Sequence, residues 1–233
     1  VEITSLNSFE STRPSTSPRV PSILRPHLPK HCLTLSLLGD TYLGNGYSQE
    51  NNVVLDYNQL TVGYMHNSID LGEGDVKLDG IGISASSRYG NFVLGVGLGN
   101  SWIEDTDASV LQLGAGVGYV FELSDSLHLV PSIALDYEKI HDFTYYYGDS
   151  WVFTPSISLN YAATESLELS VGVGYSEPFN TEVLGEDISA YTDGAFVGSV
   201  GGEYAISNNL GLVGGFGFSD NSTVFTIGLS LHY

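Results

Sequence analysis

The sequence predicts an all-β fold, a closed antiparallel up-and-down barrel taken as ten strands, with eight and twelve as the alternatives. Three observations carry this. From Tyr57 onward, segment after segment alternates apolar with small or polar residues, as strands do when their two faces meet different surroundings. The connections between these segments alternate short and long, the layout of neighbouring strands that run up and down. The face opposite the apolar one is Gly, Ser, Ala and Thr, with very few charges at mid-strand.

The first segment, "NQLTVGYMH", puts Leu60, Val62 and Tyr64 on one face, and "LDGIGISAS" puts Ile81, Ile83 and Ala85 there. In "FVLGVGLGNSW", Phe92, Leu94, Val96, Leu98 and Trp102 oppose Val93, Gly95, Gly97, Gly99 and Ser101. "LQLGAGVGYVF" sets Leu111, Leu113, Ala115, Val117, Tyr119 and Phe121 against Gln112, Gly114, Gly116, Gly118 and Val120. "LHLVPSIALDY" and "WVFTPSISLNY" are near copies, with Ile133, Leu135, Tyr137 and Ile157, Leu159, Tyr161 on the apolar side. "LELSVGVGY", "AFVGSVGGEY", "LGLVGGFGF" and "STVFTIGLSLHY" complete the set. "SRYGN", "ELSDSL", "ATESL" and "SNNL" suit tight polar turns. Residues 67–76, 100–109, 138–150 and 176–193 read as long connections, with a shorter fifth at "SDNST". Both chain ends then emerge on the short-turn side, and strand 222–233 pairs with strand 57–66.

Residues 1–50 read differently from the barrel, assigned to 51–233. "STRPSTSPRVPSILRPHLPK" has no strand or helix period and reads as disordered. "CLTLSLLG" leaves open a signal remnant or a plug. The chain of 233 residues carries 7 Lys and Arg against 27 Asp and Glu. Arg13, Arg19, Arg25 and Lys30 lie in the disordered stretch, which leaves the barrel only Lys77, Arg88 and Lys139. So acidic a chain repels phosphate backbones, which excludes nucleic acid as a partner. The single Cys32 excludes an internal disulfide and a paired-cysteine metal site.

A water-soluble barrel would turn its apolar face inward and show charges outside. Here the opposite face is too poor in charge to be an aqueous surface, yet it suits the lining of a narrow lumen. Aromatics gather on the apolar face at both strand ends: Tyr64, Trp102, Tyr137 and Trp151 towards the long connections, and Phe92, Tyr119, Phe121, Tyr161, Tyr204 and Tyr233 towards the short turns. Two such girdles match the two interfaces of a bilayer. The barrel is therefore expected to be transmembrane, with its girdle represented by Trp102, Trp151, Tyr119, Tyr161 and Tyr204.

Residues 57–233 resemble the small outer-membrane β-barrel proteins of Gram-negative bacteria, the porin-like and OmpA-like barrels. The closing "FTIGLSLHY", with Phe225, Ile227, Leu229, Leu231 and Tyr233 alternating, is similar to their C-terminal assembly signal, although that signal usually ends in Phe. The resemblance implies a bacterial outer-membrane location among lipid and lipopolysaccharide, and insertion by the barrel-assembly machinery. It carries over no catalytic residue and no cofactor; the chain is read as a monomer.

Asp136, Glu138, Glu122, Glu168 and Glu203 fall on the inward face and are the expected lumen acids. Asp136 and Glu138, with His141 and Asp142 just beyond, loosely resemble the acidic rim of the omptin-like proteases. The chain lacks a second acidic pair, so a hydrated rim is the simpler reading, and no enzyme is expected. His128 and His232 join the lower acids as weak metal candidates, scattered over different strands, so no metal site is expected. In the loops, Phe143, Tyr145, Tyr146 and Tyr147 amid acids form a candidate binding surface. The expected function is a narrow, acidic, water-containing barrel that passes small cations. The alternative is a closed-lumen surface protein that acts through its loops.

Overall fold

The computed structural model describes residues 46–49, 53–70, 74–143, 146–183, 186–187 and 193–233, with side chains at 46–49, 53–54, 142–147, 183 and 186–187 left out of the description. A short hairpin, β1 (Gly46–Gln49) and β2 (Val53–Asp56), precedes the barrel. Then come β3 (Gln59–Asp70), β4 (Asp75–Tyr89), β5 (Phe92–Ile103), β6 (Ser109–Tyr119), β7 (Phe121–Ser124), β8 (Leu127–Phe143) and β9 (Tyr146–Thr164). The chain continues as β10 (Leu167–Val183), β11 (Glu186–Asp187), β12 (Ala195–Ser207), β13 (Leu210–Ser219) and β14 (Ser222–His232). Strands β3, β4, β5, β6, β8, β9, β10, β12, β13 and β14 form one antiparallel ring of ten. It closes where β14 pairs β3 from Ser222↔Ile69 to His232↔Gln59. The fold is a closed antiparallel barrel, with the start of β3 and the end of β14 together at the short-turn rim.

The connections correct the sequence reading. Much of 67–76, 138–150 and 176–193 was expected as loop but is strand: β3 runs to Asp70, β8 to Phe143 and β10 to Val183. Polar residues there continue the alternation outside the apolar belt, where hydropathy gives no signal. A second correction concerns "LQLGAGVGYVF", which is not one strand but β6 and β7, split at Val120. The β6–β8 ladder stops at Gly118↔Ser132 and resumes as β7–β8 at Phe121↔Leu129. Pro131 lies in that gap, because a proline has no N–H to give a ladder. Its counterpart Pro155 faces a gap between β9 and β10, from Gly174↔Ser156 to Glu177↔Phe153.

The faces fall as the alternation requires. Leu94, Leu98, Ile157, Val171, Ile227 and Leu229 point outward and are exposed, in a belt that encircles the barrel. A soluble monomer rarely exposes an apolar patch beyond a few hundred Å², so this belt is matched to lipid. Trp102, Trp151, Tyr161 and Tyr204 are exposed on the same face, and Tyr119 packs between Phe92 and Phe121 at ring distances of 5.1 and 4.7 Å. Phe225, Ile227, Leu229, Leu231 and Tyr233 line the outer side of β14.

Glycines allow the closest strand approach at the closure seam. Gly63 and Gly228 are register partners between β3 and β14. A Cβ on Gly228 would lie 2.5 Å from the Val62 carbonyl oxygen and 2.8 Å from the Gly63 Cα, both backbone atoms that cannot swing aside. Gly228→Val is therefore expected to open the seam and abolish the compact, heat-modifiable band in detergent electrophoresis. Gly214→Ala, at an open site 3.8 Å from its one close neighbour, should keep that band.

Candidate functional site in the barrel lumen

The inward face is not small residues throughout. At mid-barrel it is, but larger apolar side chains fill much of both ends. At the long-loop end, Met65, Ile69, Leu78, Ile103, Ala108 and Val110 form one buried cluster. At the short-turn end, Val93, Val120, Val130 and Ala162 of the wall close around Leu55 and Tyr57 from the segment that precedes β3. Sequence reading missed this filling: parity puts Val93 and Val120 on the inward face, but nothing in the alternation shows that they meet Leu55 and Tyr57, or that Met65, Leu78 and Val110 meet one another.

Tyr57 is completely buried and held from several sides. Its hydroxyl lies 3.1 Å from His128 Nδ1 and accepts from Asn160 Nδ2 at 3.2 Å. Ser86 Oγ donates to its carbonyl at 2.8 Å, and the Arg88 guanidinium stands 5.8 Å from its ring centroid. Arg88 in turn pairs with Glu122 at the short-turn rim, 2.5 Å apart. Glu122 is thus a half-exposed rim group, and Arg88 holds its carboxyl below the usual carboxylate range. A depressed carboxyl contributes stability above its ordinary pKa and loses it as pH falls through the lowered value. Acid titration of Arg88→Gln against wild type, followed by unfolding temperature, should show the difference shrinking below about pH 4.

Along β3, β4, β9, β10 and β12–β14 the lumen keeps a cavity of about 210 Å³, room for on the order of ten waters or fewer. Gln59, Asn160 and Glu203 line it near the chain ends, Ser170, Ser199 and Gly215 at mid-barrel, and Asn67, Ser219 and Ser222 at the far rim. Of the expected lumen acids, Glu203 reaches this cavity. Its Oε1 accepts from Ser230 Oγ and from His232 Nε2, both at 2.6 Å. Residue 211 has to be glycine for this arrangement, since a Cβ there would collide with the Glu203 carboxylate. Gly211→Ala should therefore push the Glu203 carboxylate away from Ser230 and His232 and lower stability less than Gly228→Val, whose clash is with backbone, read from the heat-modifiability transition.

Glu168 lies on β10 opposite Glu203 on β12, buried at 2% exposure. Asp136 and Glu138 are buried on β8, two residues apart, and Glu138 accepts from Gln112 Nε2 at 3.2 Å. Neither lines the cavity. His141 falls on the opposite face of β8 from that pair, opposite Ser109 rather than Gln112, so the protease-like pairing lacks its geometry. Among the described residues no three His, Cys, Asp or Glu side chains are grouped so as to hold a metal by themselves. Of the loop candidates, Tyr145 and the side chains of Phe143, Tyr146 and Tyr147 lie outside the described residues.

No protein-family model and no curated protein sequence matches the chain. Among solved structures it is similar to the NanC porin, at 11% identity and TM-score 0.47, over 75% of this chain and 100% of that one. It is also similar to Neisserial surface protein A, at 14% identity and TM-score 0.41, over 75% and 96% of the two chains. A third is the β-domain of the Bordetella autotransporter BrkA, at 9% identity and TM-score 0.49, over 76% and 99%. A porin, a surface protein and an autotransporter share the barrel, so the likeness is one of fold.

Proposed function

We propose that the chain resides in a bacterial outer membrane, embedded in lipid and lipopolysaccharide, and acts there as a narrow, water-containing channel for small cations. The observation that carries this reading is the cavity along β3, β4, β9, β10 and β12–β14, whose lining residues extend from the short-turn rim to the long-loop rim. Glu203 is the charged residue among its described lining residues, and no Lys or Arg is found there. A carboxylate on a low-dielectric wall concentrates cations and repels anions. The alternating outer face of β14 fits recognition by the barrel-assembly machinery, and the protein acts as a monomer.

Reversal potential across a planar bilayer in a potassium chloride gradient tests this. The wild type should prefer cations, less so at high salt, because the screening length falls from about 10 Å at 0.1 M to about 3 Å at 1 M. Glu203→Gln should lose much of that preference. Asp136→Asn combined with Glu138→Gln should change it less, since neither side chain lines the cavity. Anion preference would refute the electrostatic reading. Absence of conductance would favour a closed barrel acting through its acidic, Tyr-rich loops, a reading supported by the apolar clusters at both ends of the lumen.

A further inference from the structure

The short-turn end of the lumen, beside the cavity, gathers hydrogen-bond acceptors without donors to match. Glu168 Oε1 and Oε2, Glu203 Oε2, Gln59 Oε1 and His232 Nδ1 are all buried without a hydrogen-bond partner among the described residues. They sit along one continuous arc of the wall, in the order β10, β12, β13, β14 and β3. Glu168 on β10 faces Glu203 on β12 as a register partner, and Gln59 on β3 faces His232 on β14. The Glu203–His232 contact links the two pairs. His232 and Ser230 both occupy Glu203 Oε1, which leaves Oε2 as the oxygen still lacking a donor.

Charge sharpens the point. Two carboxylates directly opposite on one face repel each other, and buried charge without compensation costs several kcal/mol. The barrel's bases do not supply the compensation. Arg88 is engaged by Glu122, while Lys77 and Lys139 sit at the long-loop end, paired in register with Ser68 and Asp149. Gln59 is 3% exposed, and its amide oxygen is a neutral ligand that no acid–base pairing explains.

We propose that Glu168, Glu203 and Gln59 form a binding site for one hydrated divalent cation at the short-turn end of the lumen, with His232 and Ser230 positioning the Glu203 carboxylate. An oxygen ligand set selects a hard cation of the calcium or magnesium class. Two carboxylates balance a charge of two, which one alkali ion would not. Two carboxylates and one amide are too few to encase the ion, so it keeps much of its water, and the adjoining cavity has room for that. The site does not depend on conduction; a barrel that holds the ion and passes no current still has it.

The test is calcium titration by calorimetry on the full chain, folded in detergent and freed of metal with chelator, at fixed ionic strength. Wild type should bind one ion per chain saturably. Glu168→Gln and Glu203→Gln should each weaken binding on the order of tenfold or more, because carboxylate count sets the affinity of such sites. The loop pair Asp75→Asn with Glu104→Gln should leave it unchanged. If a carboxylate variant fails to give the folded band, Gln59→Leu serves, since it removes the amide oxygen and keeps both charges. No saturable binding, or binding that the lumen variants leave intact, or binding lost only in the loop pair, overturns the proposal. Cation-selective current without saturable binding would leave the channel reading standing and remove this site.

Discussion

Leu229→Arg is expected to lose most of its folded, compact band in detergent electrophoresis, while Thr226→Arg keeps it. Leu229 is central among the outward residues of β14 and 49% exposed on the lipid face. A guanidinium placed there must enter hydrocarbon, at a cost of about 2–4 kcal/mol near the midplane. Thr226 belongs to the same strand but lines the cavity, where an arginine meets water. Ser230 is a poorer inward control, being fully buried and committed to Glu203. The expected readout is the ratio of folded to unfolded band after refolding, compared at several temperatures. Equal loss in the two variants would overturn the face assignment, and loss in Thr226→Arg alone would reverse it.

The ring of strands was legible because its cause is local. A strand with lipid on one side and a lumen on the other has to alternate, and Leu94-Gly95-Val96-Gly97-Leu98 can do little else. The closure of β14 on β3 is the expected pairing of strand 222–233 with strand 57–66, although β3 runs on to Asp70. What the alternation could not give was the filling of the lumen. Val93, Val110 and Leu78 are single inward residues at strand ends, and only the closed ring makes them neighbours. The pairing of Glu168 with Glu203, and of Glu203 with His232, is likewise a matter of register between strands far apart in sequence. The acids could be placed on the inward face from their parity. Which of them borders the cavity depends on where the apolar clusters lie.

Tyr57→Ala is expected to destabilise the barrel by about 3–5 kcal/mol, the range for truncating a fully buried large aromatic, and to raise its unit conductance. Tyr57 lies just before β3, and with Leu55 it occupies the lumen beside Val93, Val120, Val130 and Ala162. Its ring excludes water from the β5–β9 side of the short-turn end, leaving the cavity along the rest of the wall as the open space. Removal of the ring also strands the Asn160 Nδ2 donor that it satisfies and bares His128. On the proposed reading of the lumen as a channel, the path should then widen at the short-turn end. Tyr57→Phe separates the two effects. It keeps the volume and loses only the hydroxyl, so stability should fall by about 1–3 kcal/mol, the cost of buried groups left unpaired, with conductance unchanged. Unit conductance in planar bilayers, together with unfolding temperature for both variants, decides the matter. If Tyr57→Ala conducts no better than wild type, the segment before β3 packs the barrel without obstructing its path. In that case the apolar cluster of Met65, Ile69, Leu78 and Val110 at the opposite end sets the limiting width, because a hydrophobic constriction resists wetting.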